Sequence, residues 1–438
     1  MRKHERISRR RFVKGAGAVV AAPLIIPGLA LGLDGAVAPS NRITLGMIGV
    51  GDHGVNRNLK RFLREPDAQI VAVCDVDSER REAAAKMVEE AYADAKAKGS
   101  YKGCASYNDF RQIIERKDID AVMVSTPDHW HVIPALMAVR AGKDVECEKP
   151  LTLTVAEGRV LADAVAKHQR IFQTSSENRS YECYYRAVEL VRNGRIGKLQ
   201  NIKVTLPRGH SIHPASMEVG PPPKGFDYDL WLGQAPEAPY CPARCHWNFR
   251  WILDYSGGQL TDWGAHLIDI AQWGNNTELT GPVEVEGKAT FPKEGLYNTA
   301  TDFDINYKYA NGVTMNVSAS QPGIRFEGTD GWIGNKQWNA PLEAEPKTIL
   351  DSKIGENEIH VYKEPLGEQR NFLDCVKSRK PCYAPAEVGH RTITIAHIGH
   401  ISIRLGRPLK WDPEKERFVG DDEANTMLRR PMRKPWTL

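Results

Sequence analysis

The sequence predicts an α/β protein, with a doubly wound parallel sheet toward its N-terminal end and an α+β domain behind it. Three observations carry that prediction. Between about residues 41 and 165, short continuous apolar runs alternate with helical segments, as parallel strands buried on both faces require. Beyond that point the pattern changes to segments with partial polar/apolar alternation, which marks sheet with one covered face. The length, 438 residues, exceeds what one ordinary core organises, so two domains are expected. A formal charge of +4 over that length is too weak to predict a nucleic-acid partner, and the basic residues gather at the two ends.

Residues 1–38 read as a leader outside this fold. SRRRFVK (8–14) precedes GAGAVVAAPLIIPGLALG (15–32), an apolar run broken by Pro23 and Pro27. Such a run suits a signal peptide better than a membrane span, so no span is expected in the mature chain. Ser8-Arg9-Arg10-Arg11-Phe12-Val13-Lys14 resembles the twin-arginine export consensus. That resemblance implies a periplasmic protein carried across the membrane already folded, often around a cofactor. Ala30-Leu31-Gly32 and Ala36-Val37-Ala38 both offer cleavage sites, and Pro39 counts against the second. Cargo folded before export cannot depend on oxidation of its eight cysteines. Cys241-x3-Cys245-His246 lacks a second ligand pair at zinc-like spacing, so no metal is expected.

After the leader, RITLGMIGVG (42–51) reads as a buried strand that runs into Gly49-Val50-Gly51-Asp52-His53-Gly54 and a helical VNRNLKRFLRE. Gly49 permits the tight turn, Gly51 lets backbone approach a pyrophosphate, and Gly54 lets the helix pack close to the strand. The helix start offers unpaired N–H groups and partial positive charge to the phosphates. A lone glycine motif of this kind says little, but its context completes it. A second strand, QIVAVCD (69–75), ends in Asp75 about twenty residues further on, placed to accept ribose hydroxyls and to repel a 2′-phosphate. NAD is therefore expected over NADP, with Arg80 and Arg81 keeping NADP open. Strands DAVMVST (120–126) and KDVECE (143–148) end at Pro127 and Lys149-Pro150, which completes a Rossmann domain over 41–165.

The stretch GGQLTDWGAHLIDIAQW (257–273) reads as a helix with two faces. At about 100° per residue, Asp262, His266 and Asp269 share one stripe, and Trp263, Leu267, Ile270 and Ala271 share another. By itself this is a solvated face, with Thr261 capping the helix and Asp262 near its positive end. The sharper reading is a site in which an acid orients a proton-moving histidine.

Four motifs in order, GVGDHG (49–54), TPDHWH (126–131), EKP (148–150) and DWGAH (262–266), resemble those of the glucose–fructose oxidoreductase, inositol dehydrogenase and rhizopine-catabolism family, Gfo/Idh/MocA. The resemblance spans nearly all of the mature chain and is specific to the family, though not to a substrate. It implies that Gly49, Gly51, Asp52, His53, Gly54, Asp75, Thr126, Pro127, His131 and Glu148 bind the cofactor, and that Lys149 stands by the nicotinamide and the reacting hydroxyl. It further implies that His266 is an acid/base group, with Asp262 in contact with it or with the substrate. Asp128 stands where the family has Asn, which puts the cofactor contact there in question. Lys149, Asp262 and His266 are thus the expected catalytic set. Oxidising a secondary alcohol sends hydride to the nicotinamide while a base takes the hydroxyl proton. A lysine in a partly desolvated cleft, its ammonium form disfavoured, can be that base or assist it.

The second domain, 166–438, contains VEVEGKATF (283–291), TDFDINYKY (301–309) and VTMNVSAS (313–320), which read as strands, with an Asn311-Gly312 hairpin turn. The family implies a large, mostly antiparallel, open-faced sheet commonly used for oligomerisation, so a homo-oligomer is expected. Helical segments at 368–380 and 390–407 are expected to return toward the first domain. Two aromatic-rich stretches, NRSYECYYR (178–186) and HWNFRWILDY (246–255), offer Arg179, Tyr184, Trp247 and Arg250 as candidates to hold a polyhydroxylated ring. His210 and His213 lie in an expected loop, and PPPKGFDYDLW (221–231) reads as an arm suited to a neighbouring subunit.

The leading functional expectation is an exported NAD(P)-dependent oxidoreductase acting on a secondary hydroxyl of a sugar or cyclitol. Free nicotinamide cofactor is scarce outside the cytoplasm, so the cofactor is expected to be bound before export, to stay bound, and to be regenerated in place. The alternative is an NAD-dependent glycosidase, in which transient oxidation acidifies a neighbouring C–H, permits elimination and is then reversed. The branch of the family that works this way usually departs from EKP, which this chain keeps. A sugar-binding protein without activity is the third reading, and the intact Lys149, Asp262 and His266 set argues against it.

Overall fold

The structure, a computed structural model, describes residues 41–438, so the leader at 1–38 lies outside the described residues. Six parallel strands form the first sheet: β1 Ile43–Ile48, β2 Ala68–Cys74, β3 Ala105–Tyr107, β4 Ala121–Val124, β5 Asp144–Cys147 and β6 Phe172–Thr174. Their spatial order is β3-β2-β1-β4-β5-β6, so the winding reverses between β1 and β4, where open α/β sheets place ligands. Register decides what stands at that crevice. Ile48 lies beside Cys74 and Val124, Val124 beside Cys147, and Cys147 beside Thr174. Gly49, Asp75, Ser125, Glu148 and Ser175, each next in the chain, therefore form one row along the carboxyl edge. The sheet takes its sixth strand at 172–174, so the expected boundary at 165 falls short of it.

The second sheet has nine strands: β7 Leu199–Leu206, β8 Pro282–Thr290, β9 Asp302–Tyr309, β10 Thr314–Ala319, β11 Gly323–Gly328, β12 Trp332–Asn335, β13 Glu343–Glu345, β14 Leu409–Asp412 and β15 Arg417–Phe418. They lie in the order β13-β12-β11-β7-β10-β9-β8-β14-β15, antiparallel except where β7 meets β10. The turn between β9 and β10 closes at Asn311-Gly312, with Gly312 at φ +87. One face is apolar and packs on two helices, Gly264–Gly274 and Ala386–Leu405. Gly399 lets the longer helix approach so closely that a Cβ there would lie 2.0 Å from the Tyr307 hydroxyl, which itself bonds the Ile395 carbonyl. The other face carries polar ladders such as Lys203–Glu327 and Asn316 with Asp304 and Asn306.

Helix Glu368–Ser378 packs on β5 and β6, and helix Ala386–Leu405 packs on helix Val155–His168, which ties the end of the chain to the first domain. Arg370 grips both oxygens of Asp67 at 2.9 Å, with Lys377 against the same carboxylate.

Helix Gly264–Gly274 is buried along its whole length, which rules out the solvated reading of its polar stripe. Asp269, 1% exposed, meets Arg179, 2% exposed, in a two-pronged ion pair at 2.7 and 2.8 Å. Glu278 takes the third guanidinium contact at 2.8 Å, and the cation lies over Trp273. Arg179 is thus a strut between the start of helix Glu182–Arg192 and helix Gly264–Gly274, not a substrate ligand. Thr261 is not the helix cap either: a short turn, Gln259–Asp262, precedes the main helix, and Thr261 bonds back to Gly257 and Gly258.

Two outcomes follow for stability. Asp269→Asn leaves a buried guanidinium under-compensated and should cost about 3–5 kcal/mol in chemical denaturation. Burial opposes ionisation of Asp67, yet Arg370 and Lys377 bring it down to about 2 from 3.8. A carboxyl depressed in the folded state stabilises fully above its unfolded value and loses that contribution as pH falls. Wild type should therefore lose stability between about pH 4 and pH 2 more steeply than Asp67→Asn, as read by melting temperature against pH.

Candidate active site

The crevice at the carboxyl edge of the first sheet is a cleft of about 450 Å³. The glycine turn forms one end. Gly49 has φ +86, and a Cβ there would sit 2.6 Å from the Ser125 carbonyl carbon. A Cβ on Gly54 would sit 2.5 Å from the Gly49 oxygen, and one on Gly51 would sit 2.6 Å from the Arg80 guanidinium. Gly49 and Gly54 are thus required by close approaches to backbone, while Gly51 faces only the flexible tip of Arg80, and the helix over 52–62 begins at the turn with its first N–H groups free of helical partners. Asp75 lines the same end, its Oδ2 accepting from Val50 N at 2.9 Å and its Oδ1 from Asp77 N at 3.0 Å. Burial pushes its pKa up, opposed by these two bonds. The Thr126 hydroxyl is buried in this wall with no hydrogen-bond partner among the described residues. Glycine turn, acidic strand end, helix start and an orphaned hydroxyl together fit a dinucleotide.

Toward the other end stand Glu148 and Lys149. Glu148 accepts from His53 at 3.0 Å and from Asn58 at 2.9 Å, which fastens the end of β5 to the glycine-turn helix. Burial opposes its charge, yet the neighbouring His53 and Lys149 hold its pKa far below the ordinary range. His131 places both ring nitrogens against carbonyls, Nδ1 at 2.7 Å from Pro150 O and Nε2 at 2.9 Å from Thr126 O. Burial lowers its pKa, and a neutral ring donates to only one of the two. His131 therefore braces the two loops on which Thr126 and Lys149 ride.

Lys149 Nζ lies 2.7 Å from Asp262 Oδ1, and Arg250 Nε lies 3.7 Å from Asp262 Oδ2. The sequence expectation was a lysine in a partly desolvated cleft with its ammonium form disfavoured, and the structure gives that ammonium a carboxylate partner. Burial alone would keep Asp262 neutral, but the Lys149 and Arg250 charges hold its pKa far below the usual range. His266, one turn on, is 7% exposed, with Nδ1 buried and unpartnered among the described residues. Burial, reinforced by the Lys149 charge, keeps its pKa well below the ordinary value, so the ring is neutral. Trp338 meets it edge-on at 4.9 Å.

The four substrate candidates part company. Arg250 and Trp247 line the cleft, stacked with the guanidinium 4.4 Å from the Trp247 ring centre. Arg179 belongs to the strut described above. Tyr184, fully buried, packs against Trp338 at 6.0 Å, one ring removed from His266. His210 bonds Thr299 and stacks on Trp251, and His213 stacks on Trp247; neither lines the cleft. Cys241 and Cys245 lie in an aromatic cluster with Tyr240, Phe249 and Tyr255. Among the described residues no group of three or more His, Cys, Asp or Glu has metal-holding geometry.

Sequence reasoning found part of the roof of the cleft in HWNFRWILDY but did not single out His246 or Phe249, and it missed Phe226 and Trp231. Phe226, Trp231, His246 and Phe249 line it from the second domain. The end of the arm that carries Phe226 is fastened to the first domain within the chain. Ser78 N donates to Gly225 O at 2.9 Å, Asp227 N donates to Val76 O at 2.9 Å, and Asn108 Nδ2 donates to Asp227 Oδ2 at 2.8 Å. Gly225, at φ +88, rests on the Ser78 hydroxyl, where a Cβ would lie 2.2 Å away. The aromatic density of FDYDLW and HWNFRW was the available signal.

Comparison with known proteins agrees with this arrangement. Residues 43–176 match the family model described as "Oxidoreductase family, NAD-binding Rossmann fold", and residues 210–438 match "Oxidoreductase family, C-terminal alpha/beta domain". A glycosyl hydrolase family 109 protein of Saccharopolyspora erythraea is 37% identical over 158 residues, 36% of this chain and 33% of that protein. An alpha-N-acetylgalactosaminidase of Shewanella oneidensis is 30% identical over 212 residues, 44% of each chain. The chain thus spans a third to under a half of the length of these curated relatives. Among solved structures, an aldose-aldose oxidoreductase from Caulobacter crescentus superposes with a TM-score of 0.61 at 18% identity, covering 84% of this chain and 99% of that one. A levoglucosan dehydrogenase in complex with NADH and levoglucosan does so with a TM-score of 0.61 at 19% identity over the same shares. These two establish likeness of fold. With both domains matched in order around the glycine turn, EKP and the Asp262–His266 helix, the chain belongs to the Gfo/Idh/MocA family of oxidoreductases.

Proposed function

We propose that this protein is an NAD-dependent oxidoreductase acting on a secondary hydroxyl of a sugar or cyclitol, with its cofactor retained between turnovers. One observation carries the reading: Lys149 and Arg250, which line the dinucleotide cleft, converge on the buried Asp262 carboxylate behind it, one helical turn from a neutral His266. When bound, the dinucleotide supplies the hydride acceptor and donor. The Lys149 ammonium, oriented by Asp262, holds the reacting oxygen and stabilises negative charge developing on it. His266, neutral and one helical turn from Asp262, is the group assigned to accept the hydroxyl proton. Trp247 and Arg250 offer a flat face and donors to a ring. Asp75 favours NAD, although Arg80 shares that end of the cleft. The leader supports export to the periplasm by the twin-arginine route, and the polar open face of the second sheet supports a homo-oligomer.

Retention is supported by the strap Gly225–Asp227, which zips across the β2 end where the adenosine half would lie. Mature protein purified without added nucleotide should release about one NAD(H) per chain on denaturation, identified by absorbance and mass. Gly225→Val, driven onto Ser78, should lower that content; an empty wild type counts against retention. Lys149→Ala should lower kcat by about 10²–10⁴-fold while keeping the nucleotide. Undiminished turnover in that variant removes the catalytic assignment.

A second reading has a specific support, the glycosyl hydrolase family 109 names of the curated relatives. Under it, the same hydride step is transient and a glycosidic bond is cleaved with no net oxidation. Sugar release without NADH accumulation separates the two.

A further inference from the structure

Asp128 has no task in a simple alcohol oxidation, yet its surroundings suit a group that holds and releases a proton. It lines the cleft that carries Lys149 and Arg250, and is itself 5% exposed. Ser256 Oγ donates to its Oδ2 at 2.5 Å, and no hydrogen bond from a described residue reaches Oδ1. Burial and then the Asp262 carboxylate push its pKa up to about 7, against the Ser256 bond and the Arg250 and Lys149 charges. His129 and His131 on the same turn are buried and turned to carbonyls, His129 to Trp231 O and His131 to Pro150 O and Thr126 O. The Asn usual in the family at this place could not titrate.

Oxidising one hydroxyl releases one hydride and one proton, and His266 suffices for that proton. Cleavage next to the transient ketone needs a second proton transfer. Resting on the glycosidase reading, we propose that Asp128 carries that second proton from carbon to leaving group. Its carboxylate takes the proton from the C–H acidified by the ketone, and the C–H electron pair forms the C=C bond. The C–O bond breaks with its pair on the leaving oxygen, and Asp128 hands the proton to that oxygen. Water adds by the reverse route: Asp128 takes a proton from the water as its oxygen bonds carbon, and returns it to the neighbouring carbon. Hydride then goes back, and His266 restores the hydroxyl proton.

The test uses the holoprotein with methyl and nitrophenyl glycosides in D₂O. Wild type should release sugar carrying one deuterium on the carbon next to the oxidised position. Asp128→Asn should lose cleavage and deuterium uptake by at least about 100-fold while keeping its NAD(H) and melting temperature. The wild-type rate should rise through about pH 7, and Ser256→Ala, which removes a bond favouring the carboxylate, should move that limb to higher pH. Independently of turnover, the infrared carbonyl band of a protonated carboxyl should titrate near neutrality in wild type and be missing in Asp128→Asn. Unchanged cleavage and deuterium uptake in Asp128→Asn overturns the proposal, as does loss of cofactor in step with activity, or absence of the band from wild type. Failure of wild type to cleave any glycoside overturns the glycosidase reading and the proposal with it.

Discussion

The Asp262 carboxylate, buried between Lys149 and Arg250, is the interaction on which the rest of this structure depends. An ionised carboxylate out of water is costly unless it is paired at close range, and the 2.7 Å contact with Lys149 supplies that pairing. The two partners come from different domains: Lys149 follows β5 of the parallel sheet, and Asp262 precedes the central helix of the second domain. Satisfying one charge therefore fixes the relation of cofactor cleft to substrate wall. Neighbouring groups fall in around it. His266 stays neutral beside a cation, and Glu148 stays ionised against His53 and Asn58.

Around that pair the protein spends its buried charge on rigidity. Arg179 with Asp269 locks the helix that carries His266 to helix Glu182–Arg192, and Arg370 with Asp67 locks the last helices to the first domain. These struts touch no part of the cleft. They hold its walls in register, so that the lysine, the histidine and the glycine turn meet without a single loop carrying the whole geometry.

Much of this was legible in the sequence because it was periodic or carried by a motif. The glycine turn, Asp75, EKP, four strands of the first sheet (β1, β2, β4 and β5) and three of the second (β8 to β10) follow from local patterns that burial enforces. The polar stripe of the 257–273 helix was legible as a stripe, but not for what it faced. Periodicity reports that Asp262, His266 and Asp269 share a side, and says nothing of the partners opposite. Hence Asp269 was given no partner and Arg179 was expected in the substrate pocket, when each is the other's counter-ion. Tyr184 failed for a related reason, since composition shows an aromatic residue but not which ring it packs behind. The roof formed by Phe226 and His246 follows no repeat, because backbone bonds to another domain set its path.

That roof has a consequence for time as well as space. The glycine turn is complete by residue 54 and the first strap residue is Gly225, so the lower wall of the cleft leaves the ribosome long before the part that closes it. Once Gly225 and Asp227 have bonded Ser78 and Val76, the adenosine end is fenced by main chain. If the cofactor is retained as proposed, its loading would belong to the protein's maturation, before these bonds close, and the catalytic cycle would inherit a cofactor instead of recruiting one.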